Sequence, residues 1–515
     1  MKFGTVVEKR LEFFANNAVI SLLILCSVGL FLRLYYFPYG VPLILDALTA
    51  HFFYATDVSI LGHLPSNYPP TISSGWPVFL AFFFTIFRFD NAVDYMTLQR
   101  LISISLSTLT TIPVYFLCRR FFDRPYAIIG AALFALEPHV IQNSLLGLTE
   151  PLYIFLVASS LALFFSSNNK MIYGSFSIVG LATIVRAEGL FLFLPLCIMY
   201  IIPHKKESKK IAKIIVVISI FLLTLLPMTV FRSQVQTSSS VVDRVLMETD
   251  NIMTPGGHGG RAFTFSAVES YIKLTGWALI PIFIFFVPTG IFFIFKKRDS
   301  DKTVVIITMI SMMIPVFYAF SFAPDPRYIY PLFPLFCILS IFTVKRVAPN
   351  LNRNIFLIFI IGGILLSSSV FLDLKKYDYE HQREAYDIAR YVTSVAKGVN
   401  EYYPEDSYIQ PAEIPDKWPA LKSSIPSKTL VIGNTKDYDS IERYIEVGKK
   451  LGLTYLVLDG NEKRPPYLNE IFLHGKKYPY LVNVYDSQDH GYKYHVKIYK
   501  IDYDRFYSTI KGDAK

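Results

Sequence analysis

The sequence predicts a polytopic α-helical membrane protein with a C-terminal α/β domain outside the membrane. Three observations predict it. Hydrophobic residues make up 53% of the 515 residues and charged ones only 17%, against roughly 25% charged in an ordinary soluble domain. Long apolar runs alternate with short basic clusters as far as residue 373 and then stop. Residues 374–515 are rich in Tyr, Lys, Asp and Glu and contain no run of the ~20 apolar residues that a spanning helix needs. This composition excludes intrinsic disorder, collagen and a disulfide scaffold, and it argues against a wholly soluble enzyme.

On the length criterion the spans fall at 17–37, 98–118, 126–145, 149–166, 171–185, 187–203, 211–231, 273–295, 303–322, 327–344 and 354–373, about eleven in all. The fifth and sixth are split because Arg186 and Glu188 stand at their join. The apolar stretch 76–87 is too short to span and runs straight into Arg88 and Asp90. It reads as an interfacial or re-entrant helix within a first outer loop, 38–97. A second long outer loop covers 232–272. Nineteen Lys and Arg residues collect in the short alternate segments, among them Arg119, Arg120, Arg124, Lys205, Lys296 and Lys345. The positive-inside rule then puts the N-terminus in the cytoplasm of a plasma-membrane protein, and an odd span count puts 374–515 outside. The first apolar run lacks a small-residue cleavage site and reads as an anchor. The net charge of +10 reads as topology and attraction to anionic lipid headgroups, not nucleic-acid binding. The four cysteines, Cys26, Cys118, Cys197 and Cys337, lie in or beside spans, and their spacing implies neither a disulfide nor a zinc site.

Chemistry is therefore expected from charged groups left at membrane depth on the outer side, because an ionisable residue there costs about 2.5–3.5 kcal/mol on insertion scales. Asp46 stands among apolar neighbours in VPLILDALTA, nine residues past the first span. Glu137 and His139 close the third span, Glu150 opens the fourth, Arg186 and Glu188 sit at the fifth–sixth hairpin, and Arg327 opens the tenth. Arginine binds phosphate oxygens with a planar fork and stays charged at any relevant pH. A carboxylate in an apolar setting can serve as a general base. Together these groups suit a lipid-phosphate substrate. Each also has a plainer reading: Asp46 and Glu150 could cap helices, and the arginines could anchor span ends at the interface. His258, in the Gly-rich TPGGHGGR, reads as part of a flexible loop.

The first-loop Asp46, the run RLISISLSTLTTIPVYFLCRRFFDR, and the segments NSLLGLTEPLYIFLVASSLALFF, GLATIVRAEGLFLFLPL and RYIYPLFPLFCIL follow one another in an order that resembles the GT-C superfamily of integral-membrane glycosyltransferases. The resemblance covers roughly residues 17–345. Its closest branch is that of protein O-mannosyltransferases and the lipid A aminoarabinose transferase. It implies transfer of a sugar from a polyprenyl- or dolichyl-phosphate donor to a glycan, lipid or protein acceptor, with inversion at the anomeric carbon. By this resemblance Asp46 is the first-loop catalytic aspartate, which accepts the acceptor hydroxyl's proton or orients that hydroxyl for attack, Arg186 and Arg327 hold the leaving phosphate, and Glu150 and Glu137 orient the acceptor or sugar. Some relatives use a divalent cation; a lone Asp46 followed by Ala47, where O-mannosyltransferases carry Asp-Glu, does not by itself argue for one and leaves the acceptor open. The other reading of a polytopic plan is a transporter or lipid flippase, for which an inverted repeat and mid-membrane charge pairs would be the signature.

Within 374–515 an amphipathic helix is expected at 380–398, and strands at 428–433 and 453–459 flank a helix with Asp439 as N-cap, Glu442 completing a capping box and Gly452 past its end. A hairpin is expected around the turn SQDHG.

Overall fold

The computed structural model describes residues 17–43, 47–65, 73–89, 92–202, 210–234, 265–296, 299–322, 325–347, 353–396, 398–400, 430–431, 435–459 and 465–513. Asp46 and His258 lie outside them. The chain divides into two compact units: residues 1–37, 46–87 and 98–373 form the first, and 38–45, 88–97 and 374–515 the second.

The first unit is helical. Its helices are α1 (Ala18–Tyr35), a π-helix Ala47–Phe52, α2 (Phe53–Leu61), α3 (Gly75–Ile86), α4 (Ala92–Leu109, from residue 98), α5 (Thr111–Phe121), α6 (Arg124–Ala135), α7 (Pro138–Leu145), α8 (Glu150–Phe164), α9 (Asn169–Val185), α10 (Leu190–Ile201), α11 (Lys210–Ser233), α12 (Phe265–Leu279), α13 (Phe283–Lys296), α14 (Ser300–Phe322), α15 (Phe333–Val347) and, as far as residue 373, the long α16 (Arg353–Val395), whose remainder belongs to the second unit. Among the described residues five stretches are individually long and apolar enough to cross a membrane, six if the pair bent by 106° at Leu279–Phe283 counts as one. Further apolar helices are shorter. Exposed side chains such as Ile211, Leu223, Phe285 and Phe359 form surfaces that suit lipid rather than water.

Several expected spans are broken, and the breaks have local causes. Glu137 does not close a continuous span over 126–145. It caps a new helix: its Oε2 accepts the Val140 amide at 2.8 Å, and Pro138 occupies the first helical position, where its missing N–H is no loss. The carbonyl of Ala135, left open where α6 ends, accepts from Arg33 Nη1 at 3.0 Å. The same nitrogen donates to Gly29 O at 2.8 Å, and Nη2 donates to Ser107 Oγ at 2.9 Å. A cation at a helix C-terminus is favoured by the dipole, and here it satisfies a carbonyl that the break exposed. Arg33 is fully buried.

Helix α13 crosses α15 at Gly290, where any Cβ would run into the Leu339 carbonyl. Gly290→Ala is expected to lower the thermal midpoint of the detergent-purified protein, since overpacking costs about 1–3 kcal/mol. Gly276→Ala on α12, where a Cβ meets nothing within 4 Å, serves as the neutral control; equal midpoints for the two variants would refute the close crossing.

The second unit holds a five-stranded sheet in the order β2-β1-β3-β5-β4, with β1 Gly398–Val399, β2 Leu430–Val431, β3 Tyr455–Asp459, β4 Leu481–Asp486 and β5 Val496–Ile501. β1 pairs in parallel with both β2 and β3, so the two expected strands are not neighbours. β5 pairs antiparallel with β3 and with β4, and a bulge lies at Asn483–Tyr485. Strand alternation sends Leu456 and Leu458 to one face and Val457 to the other. The first face packs on Ile441, Tyr444 and Ile445 of α17 (Ile441–Leu451), Leu468 and Ile471 of α18 (Pro466–His474) and Phe506 of α19 (Tyr503–Asp513). The second packs on Ala385, Ile388, Ala389 and Val392, the i, i+3, i+4, i+7 stripe of α16. The amphipathic helix expected at 380–398 is thus the last part of one helix that begins at Arg353. Ser440, not Asp439, caps α17: its Oγ accepts the Arg443 amide at 3.3 Å. Glu442 accepts instead from the Tyr480 hydroxyl at 2.8 Å, and burial followed by this bond pushes the phenol well above its ordinary pKa. Gly452 ends α17 in the left-handed region, φ 96°.

Candidate active site

Three interruptions in the helices of the first unit deliver the candidate residues. The first lies between α7 and α8. Gly147 turns the chain with φ +73°, and the turn is held by buried donors from elsewhere. Gln99 Nε2 donates to Gly147 O at 2.7 Å and to Ala47 O at 3.3 Å, Trp76 Nε1 to Gly147 O at 3.3 Å, and Arg100 Nε to Leu145 O at 2.9 Å. Thr149 and Glu150 follow, and Glu150 opens α8 with its side chain only 2% exposed.

The second interruption separates α9 from α10. Arg186 leaves the helix in extended conformation, φ −146° and ψ 130°, and a 3-10 turn Ala187–Gly189 follows. Gly189 is packed against Thr183, whose backbone nitrogen would be 2.6 Å from a Cβ there. The turn points Arg186 at α8. Its Nη1 donates to Glu150 Oε1 at 2.6 Å and to Thr149 Oγ1 at 3.3 Å, while Nη2 donates to Glu188 Oε1 at 2.8 Å.

The third is the 3-10 stretch Pro326–Leu332 ahead of α15. Asp325 caps it, taking the Arg327 amide at 2.9 Å through Oδ1, and its Oδ2 stands 2.9 Å from Arg327 Nε. The Tyr328 ring lies beside both guanidinium groups, 5.4 Å from Arg186 Cζ and 5.8 Å from Arg327 Cζ. Tyr153, one turn along α8 from Glu150, presents its ring to Arg186 at 5.8 Å.

Tyr153, Arg186, Glu188 and Tyr328 among these residues line a small open cleft. Its lining is part polar, with Tyr153, Arg186, Glu188 and Tyr328, and part apolar, with Met312, Pro315, Val316, Pro331 and Leu332. The structure therefore brings Glu150 and Arg186 into contact, and places Arg327 next to them through Tyr328. Glu137 is held apart from that contact. Its Oε1 is 3.0 Å from Nδ1 of the buried His139, whose ring packs on Phe371 at 4.8 Å, Tyr330 at 5.8 Å and Trp277 at 6.2 Å. Among the described residues no group of three or more His, Cys, Asp or Glu side chains is arranged to hold a metal ion. Sequence reasoning placed Glu188 at the hairpin but gave it no role, and it passed over Tyr153 and Tyr328. The signal for Tyr328 was its position directly after Arg327 in RYIYP; nothing local marked Tyr153.

Residues 74–231 match the family model of dolichyl-phosphate-mannose-protein mannosyltransferases. No curated protein matches the chain in sequence. Among solved structures, ArnT from Cupriavidus metallidurans bound to undecaprenyl phosphate superposes with a TM-score of 0.53 at 13% identity, over 94% of this chain and 97% of that one. The Archaeoglobus fulgidus oligosaccharyltransferase AglB, in complex with an inhibitory peptide and a dolichol-phosphate, gives 0.55 at 13% identity, over 86% of this chain and 69% of that one. The same archaeal enzyme in complex with Zn and sulfate gives 0.56 at 14% identity, over 89% and 69%. The family and these neighbours are glycosyltransferases and oligosaccharyltransferases. The resemblance read from the residues is borne out, and this multi-pass membrane chain has the fold of the GT-C glycosyltransferase superfamily.

Proposed function

We propose that the protein transfers a sugar from a polyprenyl- or dolichyl-phosphate donor to an acceptor on the outer face of the membrane, with inversion at the anomeric carbon. The observation that carries this reading is the cleft at Arg186, whose lining combines a guanidinium with the apolar side chains Met312, Val316 and Leu332, a mixture that suits the two halves of a lipid phosphate. Arg186 lies between two carboxylates, and an anion reaches it either at its remaining N–H groups or by taking the place of one carboxylate. Glu188 is the exchangeable partner, because its side chain is 33% exposed where Glu150 is 2% exposed. Phosphate oxygens would then bind Arg186 and Arg327, whose charge offsets that of the leaving group.

In this reading Asp46 takes the proton of the acceptor hydroxyl. The hydroxyl oxygen bonds to the anomeric carbon, the bond from that carbon to the phosphate oxygen breaks, and its electron pair stays on the phosphate. Glu150 and Glu137 orient sugar and acceptor. The nineteen inner Lys and Arg residues support a cytoplasmic N-terminus, about eleven spans and an extracytoplasmic 374–515. The acceptor is a glycan, lipid or protein. The test is to reconstitute the purified protein in nanodiscs with radiolabelled polyprenyl-phosphate sugars and candidate acceptors. Labelled product and released polyprenyl phosphate are expected, and no turnover of any lipid-phosphate sugar across the panel would overturn the reading.

A further inference from the structure

Two polar atoms on α8 have no hydrogen-bond partner among the described residues although both are buried: the Tyr153 hydroxyl and Glu150 Oε2. They stand three residues apart on one helix face and both belong to residues that meet Arg186, Glu150 through its other oxygen at 2.6 Å and Tyr153 through its ring. Tyr153 also lines the cleft while being only 1% exposed. A buried donor or acceptor left unmade carries its full desolvation penalty, so such atoms in a native structure call for an explanation, and beside a cleft a bound ligand supplies one.

The chemistry of the two atoms selects that partner. A carboxylate oxygen only accepts, and a phenol readily donates. A phosphate oxygen could take the tyrosine proton but would set lone pair against lone pair at Glu150. A hydroxyl group satisfies both, accepting from Tyr153 and donating to Glu150. We propose that Tyr153 and Glu150 form a subsite for a sugar hydroxyl of the lipid-linked donor, with Tyr153 as a specificity-determining residue distinct from the phosphate-binding arginines. This rests on the donor reading above and adds which part of the donor α8 reads.

The experiment is direct binding to nanodisc-reconstituted protein of two probes, polyprenyl phosphate and polyprenyl-phosphate mannose, together with monodeoxy versions of the latter. Wild type is expected to bind the mannosylated lipid more tightly than the bare phosphate. Tyr153→Phe is expected to lose about tenfold on the mannosylated lipid, the worth of one hydrogen bond, and nothing on the bare phosphate. One deoxy probe should bind wild type and Tyr153→Phe equally, because it lacks the hydroxyl that the variant can no longer read. The thermal midpoint of ligand-free Tyr153→Phe should stay level or rise, since its hydroxyl has no bond to lose. Equal loss on both lipids would move Tyr153 to the phosphate, and a lowered ligand-free midpoint would make its hydroxyl structural; either result overturns the subsite while leaving the donor reading intact. Failure of wild type to bind either lipid overturns the donor reading itself.

Discussion

Replacing Arg186 with methionine is expected to abolish measurable sugar transfer and also to destabilise the protein. The two effects have different origins. Arg186 Nη1 supplies the 2.6 Å contact to Glu150, whose side chain is 2% exposed. Without the guanidinium that carboxylate remains buried and uncompensated, which costs about 3–5 kcal/mol when one partner of such a pair is removed. Transfer is lost because the leaving phosphate has no cation at that position, a deficit of about 10²- to 10³-fold for a single stabilising group. A second substitution separates them. Glu150→Gln added to Arg186→Met removes the stranded charge, so the double variant should regain most of the thermal midpoint in detergent and none of the activity. A single variant as stable as wild type would refute the ion pair, and wild-type transfer by either variant would remove Arg186 from the phosphate site.

Asp46→Asn should bring the second large loss. An amide of the same size cannot accept the acceptor's proton, and general-base catalysis contributes about 10²- to 10⁴-fold. The fall is expected in kcat, with binding of polyprenyl phosphate and the thermal midpoint unchanged. The same substitution in the Arg186→Met background should add little, since groups that act in one step are not additive. Full activity in purified Asp46→Asn protein would end the assignment of Asp46 and send the search for the base to the carboxylates around Arg186.

Some of this architecture was written locally. A charged pair within an apolar run marked the break at Arg186 and Glu188, because a bilayer-buried helix does not place two charges at its centre without cause. The break at Glu137 is equally present, as an acidic residue directly before a proline, but that pattern suits the end of a span as well as a cap inside one. The pairing of Glu150 with Arg186 joins residues 36 apart, and its geometry depends on how α8 and α9 pack, which no local pattern encodes. Two-residue β1 is too short to leave a periodic trace, so the sheet order could not be seen. Helix α16 ran past the expected boundary because composition changes at residue 374 while the backbone signal does not. No Pro or Gly interrupts residues 364–397, and a change from apolar to amphipathic patterning does not stop a helix.

The Tyr328 ring that touches both arginines has a kinetic consequence. Two flexible cationic side chains sharing one rigid aromatic neighbour have little rotational freedom left, so a ligand that binds them loses less entropy on capture. In the proposed reaction that economy applies equally to the spent carrier, which keeps the phosphate and the isoprenoid chain after the sugar has gone. The protein should therefore hold its lipid product nearly as firmly as its substrate, and departure of polyprenyl phosphate would set the pace of turnover. Loosening the ring contact, as in Tyr328→Leu, would then weaken capture and quicken escape together, and saturating rates would rise while rates at scarce donor fell.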